Sequence, residues 1–409
     1  QKTDKDVYNY ILILKSLTKY KESEKWMNVY YQMKRTDSRI LAHINNPGVI
    51  DQIIEDKERF KVVNLKVNTD KADFGPAYYK DRIIFSSSRD EGIIKKVHDR
   101  DELPYLNLFL GNIGSKEEIE DPIIFDEKIH TKYHEGPVVY SDRDQQLFYT
   151  KNQNVDVKKS EKRLMIMIAN IDKKSEEVGA IKEFKYNKSS YNTGHPAISP
   201  DGETLYFVSD GPGGKGGTDI YFCKREGDTW GLPQNMGDNI NTEGNEMFPF
   251  VDELGDFFFA SDGHPGLGGL DVFYSKMAKS KPVNLGGSLN TNFDDFSFII
   301  NRELKTGYFC SNRPRGKGDD DIYKFKLLKD FAPVYFVKGS VWDGLSKDTL
   351  YGSHLYLLSP DGTLLDSVTI SETGTYMIPV EANKDYKISA NKTDYSTLVD
   401  DINTKDLSP

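Results

Sequence analysis

The chain begins with apolar residues at helical spacing. Val7, Tyr10, Ile11, Leu14 and Leu17 fall at i, i+3, i+4 intervals, and a second set follows at Trp26, Met27, Tyr30 and Met33. This pattern predicts two helices within residues 4–44, joined around Thr18–Glu22. Further on the period changes to short aromatic runs such as Leu205-Tyr206-Phe207-Val208, Phe257-Phe258-Phe259-Ala260 and Tyr308-Phe309-Cys310, each bounded by Gly, Asp or Asn. Such runs read as strands between tight turns. Residues 334–409 again alternate in short runs, now separated by Asp-Gly and Thr-Gly turns, as expected of a small β-sandwich.

The central region repeats itself. HPAISPDGETLYFVSDGPGGKGGTDIYFC from His195 is echoed by a segment from Phe248 and another from Phe296. The interval from the Ser of the Ser-Asp/Asn step to the Asp of the Asp-Ile/Val step is ten residues in all three: Ser209 to Asp219, Ser261 to Asp271, Ser311 to Asp321. Two weaker copies start at Gly75 and Gly136, and Pro76, Pro137, Pro196, Pro249 and Ser297 serve as anchors spaced by 61, 59, 53 and 48 residues. Each unit reads as four strands in about fifty residues, the arithmetic of a β-propeller blade. An end-of-blade pattern, Asn235–Thr242 and Asn284–Thr291, also occurs at Asn64–Thr69, before the first copy, and is missing after Leu328. The N-terminal segment around Phe60–Val67 is therefore expected to supply the outer strand of the last blade, which removes exposed sheet edges. The expected fold is mainly β, a five-bladed propeller, or six if a degenerate blade lies in Leu103–Ile129 or Lys158–Tyr186. The domains are 1–45 helical, 46–330 propeller and 334–409 sandwich.

Composition narrows the classes. The 409 residues include 24 Tyr, 22 Phe, 33 Gly and 17 Pro, and 54 basic against 64 acidic residues give a net charge of −10. No apolar run approaches the length of a membrane-spanning helix, and an acidic chain without a Lys/Arg block does not suit phosphate neutralisation, so no nucleic-acid partner is expected. Cys223 and Cys310 are too few for a disulfide framework; Cys310 aligns with Val208 and Ala260 in a small apolar slot, so a buried thiol is expected. The start at Gln1 without Met suggests a processed or truncated product.

Asp219, Asp271 and Asp321 follow Gly-rich loops and could ligate Ca²⁺. Their recurrence in every strong copy favours a turn role instead, in which each carboxylate accepts loop N–H groups. No Walker-type sequence follows the glycines at 211–217, so those are read as turn glycines. The basic loop residues Lys215, His264, Arg313 and Arg315 are the candidates for partner binding, because loops of a rigid scaffold carry most recognition. The seven His are dispersed; His134 and His195 sit near blade entries, where packing or turn roles are expected. No nucleophile elbow or metal-binding spacing is present, so neither catalytic residues, metal nor cofactor is expected. Carboxylates in a propeller funnel could still perform glycoside hydrolysis.

The repeat residues Ser199-Pro200-Asp201-Gly202, Leu205-Tyr206-Phe207, Ser209-Asp210 and Gly216-Gly217-Thr218-Asp219-Ile220-Tyr221 resemble the WD-like propeller repeat of TolB and of OmpA-family envelope proteins. Leu17–Ser23 resembles the turn of a tetratricopeptide repeat, with Thr18 where Gly is usual. Gly339-Ser340-Val341, Gly352, Pro360-Asp361-Gly362, Gly374-Thr375-Tyr376, Tyr386, Ala390-Asn391-Lys392 and Tyr395 resemble the carboxypeptidase-regulatory-like, transthyretin-type domain. In this order the three modules resemble multidomain OmpA-family proteins of Bacteroidota, including the PorE-like component of type IX secretion. The resemblance implies a non-enzymatic periplasmic scaffold associated with the outer membrane, with a lipid anchor as one form of that association. Its implied partners are a PorP-like outer-membrane protein or other secretion and gliding components, and peptidoglycan through a domain absent from this chain. A carbohydrate-binding or glycoside-acting propeller and a TolB-like peptide-binding adaptor are the alternatives.

Overall fold

A computed structural model describes residues 3–89, 104–156, 161–331, 335–370, 374–381 and 383–405. His98 lies outside the described residues. The chain divides into two compact units, Gln1–Lys329 and Asp330–Pro409.

Four helices open the first unit: α1 (Asp4–Ser16), α2 (Tyr20–Met33), α3 (Ser38–Ile44) and α4 (Val49–Glu55). The sequence pattern anticipated two. The second is cut short because Asp37 caps α3 through Arg39 N, and Gly48, in the left-handed region at φ 82°, starts α4. The α1–α2 turn holds Thr18 at φ 58°, a conformation that favours glycine. Val7, Ile11 and Leu14 of α1 face inward with Met27 and Tyr30 of α2, whereas Tyr10, Leu17 and Met33 are exposed. The helices dock on the sheets that follow. Asn292 Nδ2 donates to Ser16 O at 2.7 Å, Gly287 N to Ile53 O at 2.7 Å and Ser38 N to Glu243 at 3.0 Å, while Leu267 packs on Ile50 and Ile53.

Among the described residues of this unit, five antiparallel sheets follow the helices. The first contains Asp73–Tyr79, Arg82–Ser87, Asn107–Ile113 and Ile119–Ile124, and the second Glu135–Ser141, Gln146–Asp156, Glu161–Ile171 and Val178–Glu183. The third contains Thr193–Ile198, Thr204–Ser209 and Asp219–Glu226, with two short segments, Thr229–Trp230 and Gln234–Asn235, on its outer edge. The fourth contains Glu246–Val251, Phe257–Ser261, Asp271–Ser275 and Val283–Asn284. The fifth joins Asp295–Asn301, Thr306–Ser311 and Asp321–Leu327 to Phe60–Asn64, in register from Phe60 opposite Leu327 to Asn64 opposite Tyr323. The N-terminal strand thus closes the last sheet. Segments 103–129 and 158–186 contain the outer strands of the first two sheets.

The first strand of each sheet contacts the first strand of the next, and the fifth returns to the first. That closed cycle around a central channel is a β-propeller. Apolar clusters lie between neighbouring sheets: Phe148, Ile166 and Ile168 of the second pack with Leu205, Phe207 and Cys223 of the third. Both cysteines are buried free thiols.

The second unit pairs Tyr335–Ser340 with Thr375–Val380 and, separately, orders Leu364–Thr369, His354–Leu358, Asp385–Asn391 and Leu398–Asn403 in a second antiparallel sheet. Leu355, Leu357 and Ile388 share a core with Ile378 and Val380, so the two sheets face each other.

Candidate functional site: the central channel

Every first strand is interrupted at the same place. The register slips between Phe74 and Ala77, Glu135 and Val138, Gly194 and Ala197, Met247 and Phe250, and Phe296 and Ile299. Each slip is a β-bulge containing a residue at positive φ: Gly75 (68°), Gly136 (111°), His195 (48°), Phe248 (51°) and Ser297 (51°). Proline follows in four of the five, where its missing N–H leaves no orphan donor on the interrupted strand. In the fifth sheet Phe298 takes the proline place. The sequence alignment had matched Ser297 with Pro249; the bulge matches Ser297 with Phe248, one residue earlier.

The two non-glycine aromatic bulge residues form a neck in the channel, lining the cavities on both sides of it. His195 stacks on Phe248 with centroids 4.1 Å apart, Phe248 meets Phe296 at 4.8 Å, and Phe296 meets Phe74 at 6.2 Å. His195 Nδ1 accepts from Phe248 N at 3.4 Å, and Thr150 Oγ1 accepts from His195 N at 2.8 Å. Burial pushes the His195 imidazole down to about 4, so it is neutral at ordinary pH.

This neck separates two cavities. The wider, about 670 Å³, is lined by the ends of all five first strands and the turns after them, including Tyr78, Tyr140, Ile198, Phe250 and Asn301. The narrower, about 440 Å³, lies at the other end, where His134, Asn152, Asp294 and Asp320 face it. Asp142, Glu253 and Glu303 reach the wide cavity and are exposed. Arg143, also on its lining, is bonded to the Glu203 carboxylate and donates to Asp201 O at 2.9 Å.

The residues singled out from sequence occupy the narrow end. Asp219 accepts from Lys215 N, Gly216 N and Asn235 Nδ2. Asp271 accepts from Leu267 N and Gly268 N, and Asp321 from Lys317 N, Gly318 N and Asn64 Nδ2. All three carboxylates are buried and bind the Gly-rich loop that precedes them. Lys215 Nζ donates to Asp238 at 2.9 Å. The His264 ring is turned inward, with Nε2 2.8 Å from Ile240 O, and burial lowers its pKa to about 4. Arg313 is fastened to Leu289 O, Ser311 Oγ and Asp295 and lies over Phe309 and Tyr323. Arg315 is exposed at φ 74°. Thus His264 and Arg313 spend their polar atoms within the fold, Lys215 and Arg315 lie beside them, and none of the four lines the wide cavity.

A second repeated set escaped the sequence reading. Asp73, Glu135, Glu246 and Asp295 each bind a Thr four residues earlier: Thr69, Thr131, Thr242 and Thr291. Ser87 and Ser261, on the second strands, donate to Asp73 and Glu246. The Thr-x-x-x-Asp/Glu spacing was the available signal. The closing asparagines form another set, in which Asn68, Asn241 and Asn290 pair both N–H and C=O of Ile322, Ile220 and Val272.

No family model and no curated protein matches the sequence. Among solved structures, TolB from Acinetobacter baumannii is similar at 13% identity and TM-score 0.34, over 71% of this chain and 57% of that one. A puromycin hydrolase S511A mutant is similar at 10% identity and TM-score 0.37, over 71% and 59% of the two chains. The α-L-arabinofuranosidase PaAbf62A from Podospora anserina is similar at 8% identity and TM-score 0.37, over 66% and 97%. The chain spans 57% of the TolB length. The propeller assignment rests on the closed cycle of sheets.

Proposed function

We propose that this chain is a non-enzymatic adaptor in which a five-bladed propeller receives an extended peptide segment of a partner protein in the wide cavity. The observation that carries the reading is the cavity itself: about 670 Å³ of aromatic and aliphatic wall with polar turns around its mouth, ending on the His195–Phe248 stack. Such a mostly apolar funnel suits a short stretch of chain. The buried carboxylates Asp73, Glu246 and Asp295 are occupied by Thr and Ser donors, which supports a structural use for them.

The setting we propose is the bacterial periplasm near the outer membrane, where the helices and the second unit would offer further surfaces to secretion or gliding components. This setting rests on the module order described from sequence. Normal secretion after deletion of the gene would remove the secretion part of the proposal and leave the adaptor reading in place.

A carbohydrate-binding reading has one observation in its favour: Tyr78 and Tyr140 share the wide cavity with Glu253 and Glu303. Val139→Trp, which fills the cavity wall, separates the two readings by calorimetry. With melting unchanged, loss of peptide binding supports the adaptor. Saccharide binding by the wild type, abolished in the variant, overturns it.

A further inference from the structure

We propose that the wide cavity selects an extended peptide segment carrying Lys or Arg side chains. The inference rests on the peptide-adaptor reading and assigns the chemical class of its ligand. Three carboxylates from three different sheets, Asp142, Glu253 and Glu303, reach the cavity at its mouth. All three are exposed. Among the described lining residues Arg143 is the one fixed cation, and it is engaged by Glu203. Glu253 accepts from Arg302 N, a bond that holds its carboxylate at the mouth.

The far end of the channel has the same sign. Asp294 and Asp320 face the narrow cavity, whose described lining includes no Lys or Arg. Burial, with Asp294, Asp319 and Asp321 nearby, raises the Asp320 carboxyl to about 6. A low-dielectric channel with acidic groups at both mouths focuses a negative potential along its axis. The walls suit the same ligand. Tyr78 and Tyr140 line the cavity with rings whose faces attract cations, and the apolar lining accepts the methylene stem of Lys or Arg. An acidic segment entering the same space would meet like charges at the mouth, with more acidic groups beyond the neck.

The test uses the full chain and three nonapeptide pools, degenerate except for three fixed positions that hold Lys/Arg, Asp/Glu or Ala. Binding is read by fluorescence anisotropy. The basic pool is expected to bind about tenfold more tightly than the acidic pool, with a preference that shrinks as salt rises. In the Glu253→Gln/Glu303→Gln variant the preference should fall to within about threefold. The salt series on the wild type gives the same information if that variant fails to fold. Equal or tighter binding of the acidic or alanine pool overturns the charge inference and leaves the peptide reading standing. Absence of binding by every pool overturns the peptide reading itself.

Discussion

His195 and Phe248 stack with ring centroids 4.1 Å apart and planes 25° apart, at the neck between the two cavities of the channel. Phe248→Ala would uncover the imidazole. With water restored, its pKa should rise from about 4 towards the ordinary histidine value near 6.5. Because the folded pKa is depressed, the stability this histidine contributes is present above the unfolded value and lost as pH falls towards 4. The variant should therefore lose less of that contribution on acidification, against a packing cost of about 2 kcal/mol for the half-buried ring. Imidazole titration by NMR, paired with urea unfolding at two pH values, checks both.

Asn68, Asn241 and Asn290 stand in for a missing strand residue by pairing the N–H and C=O of one buried partner each. Alanine at any of them should cost about 1–3 kcal/mol, the penalty for leaving buried backbone groups unpaired. The loss at Asn68 should also loosen the closing strand, since Asn68 Nδ2 reaches Asn64 Oδ1 at 3.3 Å. Hydrogen exchange at Phe60–Asn64 is expected to quicken in Asn68→Ala and to stay near wild type in Asn290→Ala.

Burial raises the Glu246 carboxyl to about 7, even though Thr242 N, Thr242 Oγ1 and Ser261 Oγ donate to it and favour its charged form. A raised folded pKa means that the contribution is full below the unfolded value near 4.5 and is lost as pH rises through 7. Relative to wild type, Glu246→Gln should gain about 1–3 kcal/mol between pH 5 and pH 8. Denaturant midpoints across that range that run parallel for the two proteins would contradict this.

Lys15 is buried where α1 meets the fourth sheet, and burial lowers its pKa although Asp271 and Asp262 nearby favour its charged form. The cost of desolvating an ammonium there weakens helix docking. Lys15→Met keeps the stem and removes the charge, and should raise the melting free energy by about 1 kcal/mol or more. A drop in stability would show that Lys15 holds an acceptor in solution.

Much of the propeller was legible because it is written three times: the ten-residue Ser-to-Asp spacing marks a strand pair that the structure aligns as Ser209–Asp219, Ser261–Asp271 and Ser311–Asp321. The closing strand was legible for the same reason, since Asn64–Thr69 repeats a pattern found elsewhere at the end of a sheet. The neck was not. A bulge is set by backbone conformation, which Gly75 and Gly136 hint at, but His195, Phe248 and Ser297 adopt it without any residue-type signal. Without a proline in the fifth copy, the alignment slipped by one. The wide cavity was also hidden, because it is walled by ordinary strand ends and turns from five distant stretches of chain. Basic loop residues drew the eye instead, and two of them, His264 and Arg313, turned out to be held by the fold's own carbonyls.

The central claim is that the wide cavity holds a partner's peptide segment. Its most direct test is site-specific photo-crosslinking in living cells, with benzoylphenylalanine at Ile198 inside the cavity and at exposed Lys326 on the fifth sheet as the outer control. The account predicts crosslinks from Ile198 to one contiguous peptide stretch of a single partner, reduced when Val139→Trp fills the cavity. Crosslinks that arise from Lys326 alone, with none from Ile198, would contradict it.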